Sequence, residues 1–347
     1  MTATPLISVL LPVHNGMPFL PAAVESILGQ SLTDFELVLV NNGGDDGSLH
    51  YLTSLKDKRA RLYDIGGVGL IAALNFGLRH CRGKYLARMD ADDISAPERL
   101  ACQAEWLERH PQVGMVCTNV LKIDSAGLVI GAESGEISNR EALVEQLVYR
   151  RLAKPIIHPS VMLRAHLIKQ IGGYRNYQAA EDRDVWLRLS EWCDVYRMQQ
   201  RLLHYRVSQR GISRSQRTAQ KANSLLAAFN YLALKRFQVD FYVEHPEYWA
   251  DFQRLFHLYA LRQAQPAAAF EHFKEGLRQR RYKQALVCFL ENGIFDAKQF
   301  FPAWRVRRDG AKIMRMLDLA EQLCLCWGAA DNSGQTGNLN LGGLGKE

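Results

Sequence analysis

Continuous apolar runs alternate with helically spaced stretches over the first ninety residues. Ile7-Ser8-Val9-Leu10-Leu11-Pro12-Val13 is apolar almost throughout and stops at His14-Asn15-Gly16. Such a run, bounded by turn residues, predicts a strand buried on both faces. From Phe19 to Leu28 apolar side chains recur at helical intervals. Phe35 to Val40 predicts a second buried strand, ended by Asn41-Asn42-Gly43-Gly44-Asp45-Asp46-Gly47. A helix to about Lys58, a short strand Arg61-Leu62-Tyr63, a glycine turn and a helix from about Leu70 to Cys81 follow. The next strand, Tyr85 to Met89, is entered through Arg82-Gly83-Lys84 and left through Asp90-Ala91-Asp92. This alternation predicts an α/β fold with a mainly parallel central sheet flanked by helices. Ligands of such sheets bind beyond the carboxyl ends of the strands. His14-Asn15, Asn41-Asn42 and Asp90-Ala91-Asp92 all fall at such ends, so three segments should converge on one crevice.

Further along, Val113 to about Ile130 reads as a hairpin turning at Asp124-Ser125-Ala126-Gly127. Ile157 to Leu163 reads as another strand, Ile171 to Tyr174 as a turn, and Glu181 as a helix start, with Val185, Trp186 and Leu189 at helical spacing. Past Ser215 the texture changes to long amphipathic helices as far as about Trp327. The last residues are rich in Gly, Asn and Ser, a composition that predicts disorder. The expected organisation is an α/β domain over residues 1–215, a helical accessory domain over 216–328 and a disordered tail over 329–347.

A net charge of +7 on 347 residues favours anionic partners, among them nucleotides, phosphates and membrane surfaces. No nucleic-acid-reading motif accompanies that charge, so nucleic acid is not an expected partner. Seven cysteines without a C-x-x-C pair argue against a disulfide framework or structural zinc, and for a reducing compartment. The N-terminus lacks signal-peptide features, and no segment is apolar over a membrane-spanning length. The expected location is the cytoplasm, with any membrane met from its inner surface.

Residues two apart in extended chain share a face, which brings Asp90 and Asp92 together at a strand end. Two carboxylates so placed suit Mg²⁺ or Mn²⁺ with positions left open for substrate phosphates. Acids ending a strand are also ordinary turn chemistry. A competing motif is Gly67-Val68-Gly69-Leu70-Ile71-Ala72, a relaxed dinucleotide fingerprint that would make the chain an NAD-dependent oxidoreductase. It sits in the third β-α unit, whereas the fingerprint belongs to the first. A binding module for nucleotide-sugar or glycan without turnover is a third reading.

Several motifs in order decide among these. Ser8 to Asn15, Phe35 to Ser48, Gly69 to Gly77 (with Asn75 inside it) and Gly83 to Asp93 resemble the inverting family 2 glycosyltransferases with the GT-A fold. His158-Pro159-Ser160, Gly172-Gly173-Tyr174, Glu181-Asp182 and Tyr205-Arg206 follow in the family's order and approximate spacing. The resemblance covers residues 6–215 and does not extend over the C-terminal helices.

It implies transfer of a sugar from a nucleotide-diphospho-sugar to an acceptor hydroxyl with inversion, in the synthesis of a surface polysaccharide or lipid-linked glycan. Asp92 becomes the first choice for direct metal ligand, with Asp90 on the metal, on its water or on the donor ribose. Asp93 is expected to cap the following turn, and Ser95-Ala96-Pro97-Glu98 to start a helix. Asp182 becomes the base and Glu181 an orienter of acceptor or loop; alternatively both acids simply favour a helix N-terminus, and Asp184 is a rival base. Pro12, His14, Asn15, Asn42, Gly69 and Asn75 are assigned to the donor nucleotide. Family members often carry Asp at positions 41 and 42, where this chain has Asn, and the Asn42 amide oxygen could accept from a base N–H. His158 stands between an acceptor or phosphate contact and a histidine satisfied by backbone. Arg206, with Arg210 and Arg214, could close over the diphosphate as a mobile loop. Aromatic and basic residues mixed over 300–315 suit either a membrane interface or packing on the catalytic domain.

Overall fold

The computed structural model describes residues 4–149, 155–207 and 216–244, together with 246, 253, 256 and 257. The predicted 258–327 helices, the 329–347 tail, the 300–315 stretch, Arg210 and Arg214 lie outside these residues. By internal contacts the chain divides into one unit of Met1–Leu147, Leu152–Asn176 and Val185–Gly211, and a second of Val148–Arg151, Tyr177–Asp184 and Ile212–Glu347.

The first unit is built on a nine-stranded sheet. Its parallel half comprises β1 (Ile7–Val13), β2 (Phe35–Asn41), β3 (Ala60–Asp64) and β4 (Tyr85–Arg88), ordered β3-β2-β1-β4. Register is continuous, with Ile7 opposite Phe35 on one side and Tyr85 on the other. Every residue of β1 and β2 is buried, as their unbroken apolar runs require of strands covered on both faces. The covering helices include α1 (Leu20–Leu28) and α3 (Leu70–His80). Helix α1 buries Leu20, Ala23, Val24 and Ile27 at 3–4-residue spacing. Burying Leu20, Val24 and Ile27 contributes about 2 kcal/mol each before ordering costs. Helix α3 approaches β1 through Gly77, where an added Cβ would lie 2.2 Å from the Leu10 side chain. Between them, α2 covers only Ser48–Ser54, shorter than its predicted extent.

Beyond β4 the sheet is mixed. Strand β5 (Ile94–Ser95) precedes α4 (Arg99–Arg109), so Ser95 sits in a strand and the helix begins later than Ser95-Ala96-Pro97-Glu98 predicted. Strands β6 (Val113–Ile123) and β7 (Val129–Glu133) form the predicted hairpin, its turn closed by Gly127 N–H onto the Asp124 carbonyl at 3.1 Å. The strand expected over residues 157–163 is displaced. His158–Ser160 is a 3-10 turn, and β8 is Met162–Arg164, antiparallel to both β4 and β6. Pro159 brings no N–H to a ladder, and the Ile157 carbonyl accepts from both the Ser160 N–H (2.9 Å) and its hydroxyl (2.7 Å). A helix forms at the predicted place, α7 (Glu181–Leu189), after α5 (Arg140–Val144) and α6 (Ala165–Gln170). The long β9 (Asp194–Arg206) runs parallel to β6 and antiparallel to β5.

In the second unit α8 (Arg217–Phe237) buries Leu225, Leu226, Phe229 and Leu232. Its Asn230 binds Asp240 and the Tyr242 N–H, each at 3.1 Å, which secures the following short helix α9 (Phe241–Glu244).

Candidate active site

The carboxyl ends of β1, β2 and β4 lie side by side, because β1 pairs in parallel with both of the others. Asp90, Asp92 and Asp93 each present a carboxylate oxygen within 4.8 Å of the others. Asp90 and Asp92 are half-buried and Asp93 is fully enclosed. The sequence predicts Asp93 as a cap of the following turn; instead its Oδ1 accepts the Arg206 N–H at 2.8 Å, and its Oδ2 is buried without a hydrogen-bond partner. Burial, reinforced by the Asp90 charge, pushes the Asp92 carboxyl up to about 6. Burial and both neighbouring acids hold Asp93 well above the usual carboxylate range. Hard oxygen donors, mutual repulsion and an orphaned carboxylate oxygen are the features a divalent cation would relieve.

Around the acids, cations and carbonyls fix the loop. Arg88, the last residue of β4, pairs with Asp90 Oδ1 at 2.6 Å and also donates to the Met89 carbonyl. Arg99, at the start of α4 and fully buried, donates to the Arg88 carbonyl at 2.8 Å and to Gln103 at 3.0 Å. Burial lowers its guanidinium to about 9, against the pull of Asp93. Gln103 in turn donates to the Ser160 carbonyl at 2.8 Å, tying α4 to the His158 turn.

Arg206 is not a mobile clamp. It ends β9, is 6% exposed, donates Nε to the Asp92 carbonyl at 2.8 Å and binds the Asp124 carbonyl. Its guanidinium lies 4.3 Å from the centroid of the Phe19 ring. Two of its guanidinium nitrogens are thus spent on backbone carbonyls, one of them in the acidic loop.

The loops that follow β1 and β2 are held together by short polar contacts. Pro12 is buried within β1. His14 Nδ1 meets the Asn42 carbonyl at 3.1 Å. Asn15, at φ 51, accepts the Asp45 N–H at 3.0 Å. Asp46 accepts the Met17 N–H at 2.7 Å and the Ser48 hydroxyl at 2.6 Å, which pins the turn after β1 to the loop after β2. Asn41 Nδ2 donates to Asp64 at 2.8 Å. Asn42 departs from its expected role. Its Oδ1 accepts the Val68 and Gly69 N–H groups at 2.9 and 3.1 Å, so that oxygen organises the glycine loop and is not available to a base N–H. Gly69, at φ 89, opens α3.

Asn75 turns its side-chain amide to backbone. Its Oδ1 and Nδ2 bind the backbone N–H and carbonyl of Tyr174. Tyr174 brings its hydroxyl 3.0 Å from His158 Nε2, and Trp186 meets the His158 ring edge-on at 5.5 Å between centroids. The histidine is satisfied by a side chain and not by backbone. Burial, with the Arg88 charge second, holds it well below its ordinary pKa and hence neutral.

In the second unit Glu181 is buried, and Asp182 is half-buried in the first turn of α7 with Oδ1 accepting the Arg183 N–H at 2.7 Å. Burial lowers the neighbouring Arg183 to about 10, opposed by Asp182.

Residues 8–172 match the model of Glycosyl transferase family 2. The putative glycosyltransferase EpsE of Bacillus subtilis is 30% identical over 247 residues, spanning 69% of this chain and 85% of its own. The chain belongs to glycosyltransferase family 2. An Escherichia coli family relative named UDP-Gal:alpha-D-GlcNAc-diphosphoundecaprenol beta-1,3-galactosyltransferase is 27% identical, over 59% of this chain and 75% of its own. Among solved structures, S. aureus TarS 1-349 in complex with UDP-GlcNAc superposes with TM-score 0.53 at 13% identity, covering 93% of this chain and 92% of TarS. The mannosyltransferase PcManGT from Pyrobaculum calidifontis, in complex with GDP-Man and Mn²⁺, gives 0.50 at 18%, covering 96% and 89%. The fold is GT-A, and the protein is a glycosyltransferase. The dinucleotide reading of Gly67 to Ala72 is overturned: β3, which precedes it, is an edge strand, whereas a dinucleotide fingerprint follows a central one.

Sequence reasoning missed Asp93, Arg88, Arg99 and Tyr174 as members of this family 2 site. Arg88 carried a signal, as a charged residue inside an otherwise apolar strand run. Tyr174 stood in the Gly172-Gly173-Tyr174 motif without a role of its own, and Asp93 and Arg99 are distinguished by burial and by partners in distant segments.

Proposed function

We propose that the protein is a metal-dependent inverting glycosyltransferase that moves a sugar from a nucleotide-diphospho-sugar to a hydroxyl of a glycan acceptor. The observation that carries this reading is the convergence of Asp90, Asp92 and Asp93 within 4.8 Å at the end of β4. Asp92 and Asp90 would hold Mg²⁺ or Mn²⁺, which when bound neutralises the departing diphosphate. PcManGT, whose solved complex contains Mn²⁺, supports that choice of ion class. His14, Asn15 and the Gly66–Gly69 loop held by Asn42 line the nucleotide side.

In the reaction the acceptor oxygen forms its bond to the anomeric carbon as the bond to the diphosphate oxygen breaks from the opposite face. Asp182 takes the hydroxyl proton, an assignment that rests on its place in the Glu181-Asp182 motif. Glu181 and His158 are assigned to the acceptor. Neutral His158 can accept from or donate to a sugar hydroxyl without adding charge.

A lipid-linked acceptor and work at the inner surface of the membrane are supported by the diphosphoundecaprenol substrate in the E. coli relative's name. Among the described residues no helix is long and apolar enough to cross a membrane. The 300–315 stretch is the proposed surface contact.

The test is thermal shift with UDP, GDP and dTDP, with and without Mn²⁺, on wild type and Asp92→Ala. One nucleotide should stabilise the wild type only with metal, and the mutant not at all. Stabilisation by NAD(H), or nucleotide binding indifferent to both metal and Asp92, overturns the reading. Asp182→Asn should abolish transfer while leaving nucleotide binding intact, and NMR of the product should show an inverted anomeric centre.

A further inference from the structure

Arg88 stands out as a cation enclosed where three carboxylates gather. It is 4% exposed, and its 2.6 Å pair with Asp90 Oδ1 occupies one of the two oxygens that acid could offer. Its own carbonyl is held by Arg99, and its N–H donates to the Val161 carbonyl at 2.9 Å, so the backbone under the guanidinium is fixed from two sides. Its positive charge also reaches past Asp90: it favours the ionised forms of Asp92 and Asp93 and the neutral form of His158.

We propose that Arg88 is a built-in counter-ion of the donor site, aiming the Asp90 carboxylate and tempering the affinity of the acidic cluster for its divalent cation. The inference rests on the metal-site reading above. One Asp90 oxygen stays on Arg88, which turns the other toward metal, metal-bound water or ribose. The same positive charge offsets part of the repulsion among three acids and competes with any cation that enters. Arg88 acts through Asp90 and is a positioning residue. A site so tempered can release metal and nucleoside diphosphate after each transfer, where an uncompensated acidic triad would retain them.

Two variants of the full chain separate this role from plain structural support. Arg88→Met removes the charge. Mn²⁺ affinity, read by electron paramagnetic resonance titration without nucleotide, should rise about tenfold, because a nearby competing cation is gone. Turnover should fall at least about tenfold, because Asp90 has lost its aim. Opposite movements are the signature; damage to the fold alone would weaken both. Arg88→Lys keeps the charge but not the planar fork. Its Mn²⁺ affinity should stay within about twofold of wild type while kcat still drops, and this arm decides the matter if Arg88→Met fails to fold. Metal affinity that is unchanged or weaker in folded Arg88→Met, or full kcat in Arg88→Lys, overturns the proposal. Wild type that binds no Mn²⁺ instead overturns the metal-site reading beneath it.

Discussion

Asn75 on α3 grips both backbone groups of Tyr174, donating Nδ2 to its carbonyl at 2.8 Å and accepting its N–H on Oδ1 at 2.9 Å. These residues are 99 positions apart in the chain. The preceding Gly173, at φ +75, comes so close that a Cβ there would lie 2.5 Å from Asn75 Oδ1. A left-handed glycine and a bidentate amide thus set the direction from which the Tyr174 hydroxyl reaches His158. The contact links the helix that follows the glycine loop to the turn assigned to the acceptor.

Asn75→Ala should destabilise the protein by about 2 kcal/mol, since two partly buried hydrogen bonds are lost at roughly 1 kcal/mol each. Urea denaturation measures that cost. KM for the acceptor should rise while KM for the donor stays near wild type. The reverse pattern would return Asn75 to the nucleotide side.

Metal affinity should depend on pH through Asp92. Its carboxyl titrates near 6 because burial and the Asp90 charge both oppose ionisation. A proton therefore competes with the cation as pH falls through that value, and Mn²⁺ affinity should decline steeply below pH 6. Calorimetric titrations at pH 5, 6, 7 and 8 test this. Asp92→Asn should blunt that decline near pH 6 and cost at least about a hundredfold of turnover.

How far the sequence carried depends on whether a signal is local. β1, β2, β4 and α3 were legible because a fully buried strand leaves a continuous apolar run, and a covering helix leaves a 3–4-residue pattern. The acidic loop was legible as far as Asp90 and Asp92. Asp93 was not, because its role comes from the Arg206 N–H, 113 residues away. Asn42 and Asn75 were assigned to the nucleotide by motif, yet the partners of their amides sit in other segments and could not be read from either motif. The displaced strand near residue 157 has the same origin: an apolar run alone does not reveal that Ile157 will turn its carbonyl to Ser160.

Acid should unfold this protein partly through Glu36. That side chain is 3% exposed and receives the Ser8 hydroxyl, the Arg82 N–H and guanidinium, and Arg61. Burial by itself would raise its carboxyl, but the hydrogen bonds from Ser8, Arg82 and Arg61 outweigh it and the result lies below the ordinary value. A depressed folded value means the stabilisation is complete above the unfolded value of about 4.3 and is lost as pH falls through the folded one. Glu36→Gln should cost about 2 kcal/mol, less than the roughly 3–5 for a wholly buried pair because both arginines reach water. Melting curves between pH 3 and 7 should show the gap between mutant and wild type closing below pH 4.

The Asn42 side chain offers the sharpest separation of support from contact. Its Oδ1 holds the Val68 and Gly69 N–H groups where the backbone turns into α3, and Val68 itself is 55% exposed. A loop so short of apolar anchoring depends on those two bonds for its shape. Asn42→Ala should accelerate hydrogen exchange at both amides and raise the donor KM about tenfold, the equivalent of losing about 1.4 kcal/mol of preorganisation. Asn42→Asp preserves an acceptor at the same place, and a charged one binds N–H more strongly. It should therefore keep both amides protected and the loop in position. If Asn42→Asp nonetheless changes which nucleotide stabilises the protein, the side chain meets the base as well as the loop. If it changes only exchange rates, Asn42 acts through the backbone of Val68 and Gly69 alone.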